Sequence, residues 1–349
     1  MRTRLTDLLG IAVPIVQAPM AGSQGSALAA AAAGAGALGS LPCAMLDADA
    51  VRSEVAAIRA ATAGPINLSF FCHAEPDPDP GRMRDWLARL APYAAELGVS
   101  PTVPAGVGRG AFDAARCDLV EQLRPAVVSF HFGLPAEPLV DRVRATGARI
   151  LSSATTVDEA RWLAEHGCDA VIAQGLEAGG HRGMFRTDRL DTQLGTLALV
   201  PQVVDAVSVP VVAAGGIADA RGIAAALALG ADGVQIGTAF LLTPEATTGP
   251  LHRRALERAA DTPSALTNVF TGRPARSLVN RAVRELGPMT GAAPAFPLAV
   301  GPMAGLRATA ERAGSADFSP LWAGQAAALA RPEPAADLIR GWMATLPPD

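Results

Sequence analysis

Two histidines in this chain stand where an imidazole could meet a bound molecule. His181 closes the segment Glu177-Ala178-Gly179-Gly180-His181, which follows the apolar run 170–174. Bare backbone at Gly179 and Gly180 lets a ligand approach the ring closely. An imidazole titrating near neutrality suits removal of a carbon-bound proton or binding of a developing anion. The plainer alternative is a structural histidine bonded to a loop carbonyl. His131, in Ser129-Phe130-His131-Phe132-Gly133, closes another apolar run between two aromatics, where a buried, satisfied ring is a stronger competitor to a catalytic one. His166 at a helix end is explained by the helix dipole, and His73 and His252 flank presumed loops. Glu177 is a second candidate base, but a carboxylate in such a loop more often accepts backbone N–H groups.

Glycine marks two further strand ends. Ala213-Ala214-Gly215-Gly216-Ile217 and Gln235-Ile236-Gly237-Thr238 each run from an apolar strand into a turn with exposed backbone N–H groups. Such groups, aided by a helix N-terminus, bind a phosphate dianion without a lysine. The alternative is that the glycines merely permit tight turns. Asn67, Gln174 and Gln235 are amides in apolar runs, suited to hydrogen-bonding a heteroaromatic ring edge or to capping their own turns. Phosphate at one end and a flat polar ring at the other describe flavin mononucleotide.

These residues need a scaffold that gathers strand ends. Apolar runs at 15–18, 37–40, 66–70, 127–130, 149–153, 170–174, 210–214 and 233–237 alternate with helical patterns at 46–60, 135–146, 157–166 and 218–229. Thr156 with Glu159, and Asp219 ahead of an Ala/Leu run closed by Gly230, read as helix starts. Continuous apolar strands imply a parallel sheet buried on both faces. The expected fold is α/β, a (β/α)8 TIM barrel with an inserted cap, whose binding residues collect after the strands' C-terminal ends. Residues 72–81 form a stiff acidic excursion with alternating prolines, and 244–318 are irregular and rich in Pro, Gly and Ala. The expected division is a barrel of 1–71, 90–243 and 319–349 and a cap of 72–89 and 244–318. The segment 319–325 is read as the barrel's last helix.

Composition removes several classes. The net charge of −4 with interspersed signs gives no basic face for nucleic acid or acidic lipid. Cys43, Cys72, Cys117 and Cys168 are scattered with no ligand spacing, so no metal site is expected and free thiols in a cytoplasmic setting are the default. The apolar N-terminal stretch is interrupted by Asp7, Gly10, Pro14 and Pro19, unlike a signal peptide, and no run is long enough to span a bilayer. No nucleophile elbow occurs. Gly34-Ala35-Gly36-Ala37-Leu38-Gly39 lies at a helix's end and is no dinucleotide fingerprint.

Taken together, Gln17-Ala18-Pro19-Met20-Ala21-Gly22, Glu177-Ala178-Gly179-Gly180-His181, Ala213 to Ile217 and Gln235 to Thr238 resemble the nitronate monooxygenase (2-nitropropane dioxygenase) family. The likeness covers nearly the whole chain. His131 with its flanking phenylalanines, Gly272-Arg273-Pro274-Ala275-Arg276 and Trp322-Ala323-Gly324-Gln325 look like its class I branch. The resemblance implies FMN bound by Ala18, Pro19, Met20, Asn67, Gln174, Gly179, Gly180, Gly215, Gly216, Gln235, Ile236, Gly237 and Thr238, with His181 and His131 as catalytic residues. The implied reaction oxidises an alkyl nitronate, propionate 3-nitronate being typical, with O2 to a carbonyl compound and nitrite. Partners are then a small nitronate and O2, in a monomer or homodimer. The chain departs from the class in having a single tyrosine, Tyr93, with Phe296-Pro297-Leu298 in place of Tyr-Pro-Leu and Met303 near an expected lysine. Losing a hydroxyl and a cation points to a larger or more apolar substrate. Alternatives on the same scaffold are an FMN-dependent NAD(P)H reductase of enoyl-acyl-carrier-protein or quinone type, or a non-catalytic flavin-binding protein.

Overall fold

The computed structural model describes residues 1–100 and 110–346; parts of the expected barrel segments, 101–109 and 347–349, lie outside the described residues. Eight parallel strands carry the architecture: β1 Ile15–Gln17, β2 Gly39–Pro42, β3 Ile66–Phe71, β4 Val127–His131, β5 Arg149–Ala154, β6 Ala170–Gln174, β8 Val211–Ala214 and β9 Gly233–Ile236. The short β7, Gly180–His181, belongs to a separate antiparallel sheet with β10 Ser264–Thr267 and β11 Ala275–Leu278. The eight run in the order β1-β9-β8-β6-β5-β4-β3-β2. A parallel bridge between Val16 and Leu38 joins the two ends, closing a (β/α)8 barrel.

Successive strand residues alternate between the two faces of a sheet. Here that alternation separates scaffold from site. Outward positions such as Ile15, Leu41, Leu68, Val128, Ile150, Val171, Ala213 and Val234 pack against the surrounding helices. Inward positions at the barrel's lower end, Val16, Leu38, Val127, Leu151, Ala170, Ile172 and Val212, are apolar and are plugged by Leu5 and Leu9 of the helix Arg4–Leu9. Towards the C-terminal end the same inward rows turn polar: Ser69 on β3, Ser129 and His131 on β4, Ser153 on β5, Gln174 on β6 and Gln235 on β9. The chain invests its barrel's top layer in hydrogen-bonding groups.

The expected helix starts are present, with one change. Thr156 accepts the N–H of Glu159, and Asp219 accepts those of Arg221 and Gly222. Glu159 does not reach back to close a capping box. Its carboxylate is fully buried and accepts the Thr155 N–H and hydroxyl and the N–H groups of Phe185 and Arg186. A carboxylate without water needs those donors, and it thereby ties the loop after His181 to the barrel.

The segment 319–325 is not the last barrel helix. It is extended, with Trp322 bridged to Ser277, and the final helix is Ala335–Thr345. Gly324 and Ala323 pack directly on Gly179, where a Cβ would meet the Gly324 nitrogen at 2.5 Å, so this stretch is held flat on the site loop. His252, read from sequence as flanking a loop, lies within the helix Pro250–Glu257.

A second apolar core lies apart from the barrel's. It joins Trp86, Leu90 and Ala94 of the helix Pro80–Leu97 to Phe270, Val283, Leu286, Met303, Leu306 and Phe318. That helix runs past residue 89 as one element.

Candidate active site

The inward polar layer opens into a cleft at the C-terminal mouth of the barrel. Its wall includes Ala18, Pro19 and Met20 after β1, Gln174, Gly179, Gly180 and His181 after β6, Gly215 and Gly216 after β8, and Gln235, Gly237 and Thr238 at the end of β9, with His131 at the end of β4. Two expected residues do not line it. Ile236 points outward from β9 and is buried among the helices, as period 2 requires of the neighbour of an inward Gln235. Asn67 is the second residue of β3, not its end, and sits one layer deeper at 1% exposure. Its Nδ2 donates to Ser40 Oγ (3.0 Å) and Ser129 Oγ (2.8 Å), while Oδ1 has no partner.

The glycine turns are of two kinds. Gly215 and Gly216 hold φ of +110° and +72°, which side-chain-bearing residues rarely adopt. At Gly237 a Cβ would lie 3.3 Å from Ala18 Cβ and 3.5 Å from Met20 Sδ, so the β1 and β9 ends touch. The N–H groups of Gly216, Gly237 and Thr238 make no backbone hydrogen bond among the described residues. The helix Ala220–Ala228 does not add its N-terminus, because Asp219 occupies those donors. The helical contribution comes instead from the 3-10 turn Thr238–Phe240, and Thr238 Oγ1 accepts the Gly324 N–H at 3.0 Å.

These features fit a phosphorylated, flat cofactor. Open N–H groups beside left-handed glycines suit a dianion.

His181 is placed by β7, whose register pairs it with Ala275 of β11. Its Nε2 lies 3.0 Å from Thr271 Oγ1, and Phe71, Phe132, Phe296 and Trp322 surround it at 5.3–6.2 Å between ring centroids. Phe296 thus faces the imidazole, whereas Met303 is buried in the second core, away from the cleft wall. Glu177 is not a second base: its carboxylate accepts the Thr196 N–H and hydroxyl.

His131 Nδ1 lies 3.0 Å from Ser153 Oγ and its Nε2 3.1 Å from the His181 carbonyl oxygen. Burial, above all, pushes its pKa down to about 4, partly opposed by the bond to that carbonyl. Burial likewise lowers His252 to about 4. Unfolded histidines bind a proton near the ordinary value, about 6.5, and these two do so only near 4 when folded. Stability is therefore complete above the upper value and is lost as pH falls toward the lower. The urea midpoint should already drop between about pH 6.5 and pH 5, above the carboxylate range; a flat midpoint there would contradict both burials.

Sequence reading missed the residues that brace this loop. Arg182 is fully buried and donates to the Gly175 (2.6 Å) and Gln174 (2.8 Å) carbonyls and to Gln193 Oε1. Burial lowers its pKa to about 10, which leaves it charged. Gln24 binds the Met20 N–H and the Ser40 carbonyl, fixing the turn after β1. Strand parity was the available signal for Ser69, Ser129 and Ser153; nothing local marked Arg182 or Gln24.

A closed parallel barrel with its polar layer, glycine turns and imidazole all at one mouth defines a TIM-barrel enzyme with its site at the C-terminal face. The family model for nitronate monooxygenase matches residues 2–344, and the chain belongs to that family of flavin-dependent oxidoreductases. It is 45% identical over 343 residues to a nitronate monooxygenase of Pseudomonas aeruginosa, covering 97% of this chain and 98% of that one. It is 42% identical to one of Paraburkholderia phytofirmans, covering 96% and 92%. Among solved structures, a nitroalkane oxidase from Streptomyces ansochromogenes superposes with TM-score 0.90 at 43% identity, covering 99% and 98%. FabK from Thermotoga maritima superposes with TM-score 0.74 at 28% identity, covering 99% and 96%. That second scaffold is thus related but more distant.

Proposed function

We propose that this chain is an FMN-dependent nitronate monooxygenase that converts alkyl nitronates and O2 into carbonyl compounds and nitrite. The observation that carries this reading is the convergence on one cleft of the glycine turns after β8 and β9 and the His181 imidazole. When bound, the flavin supplies the electron acceptor for the substrate and the route to O2. Gly215, Gly216, Gly237 and Thr238 hold its phosphate. Ala18, Pro19, Met20, Gln174, Gly179, Gly180 and Gln235 flank the rest, with Asn67 and Ile236 behind them. His181 takes the carbon-bound proton of a neutral nitroalkane onto its imidazole, with Thr271 fixing the ring through Nε2. An already ionised nitronate needs no such step.

The substrate's tail lies among Phe71, Phe132, Phe296 and Trp322, so uncharged alkyl or aryl tails suit the site better than the carboxylate of propionate 3-nitronate. We assign residues 72–97 and 244–318 to the extension over a barrel of 1–71, 98–243 and 319–349, moving the boundary expected at residue 89 to 97 because the helix Pro80–Leu97 packs as one element in the second core. No helix among the described residues is long and apolar enough to cross a membrane, and the four cysteines are free, in keeping with a cytoplasmic monomer or homodimer.

Anaerobic mixing of the FMN-loaded protein tests the reading. An alkyl nitronate should bleach the flavin rapidly and release nitrite when air is admitted, while NADH leaves the colour unchanged. Bleaching by NADH alone would make the chain a reductase. Failure to take up FMN at all would remove both.

A further inference from the structure

His131 spends both ring nitrogens inside the protein. A carbonyl oxygen only accepts, so the 3.1 Å contact to the His181 oxygen places the proton on Nε2. The ring is neutral, so Nδ1 is bare and must accept from the Ser153 hydroxyl at 3.0 Å. The order of donation is fixed: Ser153 to His131, and His131 to the His181 backbone. The same carbonyl takes a second bond from Gln174 Nε2 at 3.0 Å, and Gln174 Oε1 accepts the Gly183 N–H at 2.8 Å. Gly183 packs so closely that a Cβ there would lie 3.0 Å from both His131 Cε1 and Ser153 Cβ. Two side chains from the ends of β4 and β6 therefore grip one backbone unit, the one that carries the reacting imidazole.

We infer that Ser153 and His131 are positioning residues, a tautomer-fixed strut that sets the place of His181, and that His131 is not a second base. A base facing the cleft needs a lone pair directed at substrate; the one lone pair on the His131 ring points at Ser153. The inference rests on His181 being the reacting group. It extends that reading by giving the neighbouring histidine a different task. It also explains why a histidine is used at this depth. The ring presents a donor and an acceptor at opposite edges on a rigid frame, with no charge to bury.

The first test needs no substrate. In 15N-histidine-labelled, FMN-loaded protein, with the His131 signals assigned by loss in His131→Gln, the ring should stay neutral with hydrogen on Nε2 from about pH 5.5 to about pH 8. Hydrogen on Nδ1, or titration of His131 within that range, would overturn the strut whether or not nitronates are turned over. The second test is kinetic and uses a neutral nitroalkane. His131→Leu should lose about 100-fold in kcat/KM, the scale of a misplacement near 1 Å, and His131→Gln, which keeps a donor near the Nε2 position, should regain roughly tenfold of that. Ser153→Ala should lower kcat/KM and Ser153→Thr restore it, with the acid limb of the pH profile unmoved in both. Retained flavin absorbance checks that each variant is folded. A His131→Gln enzyme as poor as His131→Leu, or a shifted acid limb in Ser153→Ala, would instead make His131 an acid–base group.

Discussion

Replacing His181 by Asn is expected to lower kcat/KM for a neutral nitroalkane by about 10²- to 10⁴-fold, the usual worth of a positioned general base. The effect should be large because neither of the other two candidate bases is offered in its place. Glu177 is consumed by Thr196, and His131 has both nitrogens engaged. The substitution changes little else: the His181 carbonyl, held by His131 and Gln174, and its pairing to Ala275 are backbone features that Asn retains. With a preformed nitronate there is no proton to remove, so the loss should be far smaller. Oxygen uptake measured in parallel with the two forms of one substrate separates the cases. Equal losses with both would mean that His181 binds the nitro group rather than moving a proton.

Arg182→Met should be the most damaging change to the loop itself. The guanidinium is fully buried and donates to the Gly175 carbonyl, which also accepts the Ala178 N–H, to the Gln174 carbonyl and to Gln193 Oε1. Taking this donor from the Gln174 carbonyl and Gln193 Oε1 costs about 1–3 kcal/mol each, offset in part by removing a buried charge. A net loss of about 2–4 kcal/mol is expected, a sizeable share of a total stability of about 5–15 kcal/mol. Lysine should rescue poorly, since an ammonium cannot reproduce the planar fork that spans three acceptors. Urea unfolding of the FMN-loaded variants reads this directly. A variant as stable as the unsubstituted chain would show that water or a shifted Gln193 takes over the acceptors.

All eight barrel strands were legible within a residue or two, because burial on both faces writes itself into consecutive apolar residues. So were the starts at Thr156 and Asp219 and the glycine turns, where a local conformation admits few residue types. The segment 319–325 was misread because its conformation is imposed by Gly179 and Ser277, about 45 to 145 residues away, and not by its own pattern.

By itself, then, the sequence determined the barrel, the family and which strand ends face the cleft. Only the tertiary structure decided which side chains on those strands reach it. Gln235 turns out to face in, which turns its neighbour Ile236 out, and Asn67 lies one layer down because depth in the barrel depends on how each strand is staggered against its neighbours. It also decided what each histidine can do. The pairing of β7 with β11 and the contacts from Ser153 and Gln174 join parts of the chain that no local pattern connects, and hydrogen bonds already made determine whether an imidazole has a lone pair left for chemistry.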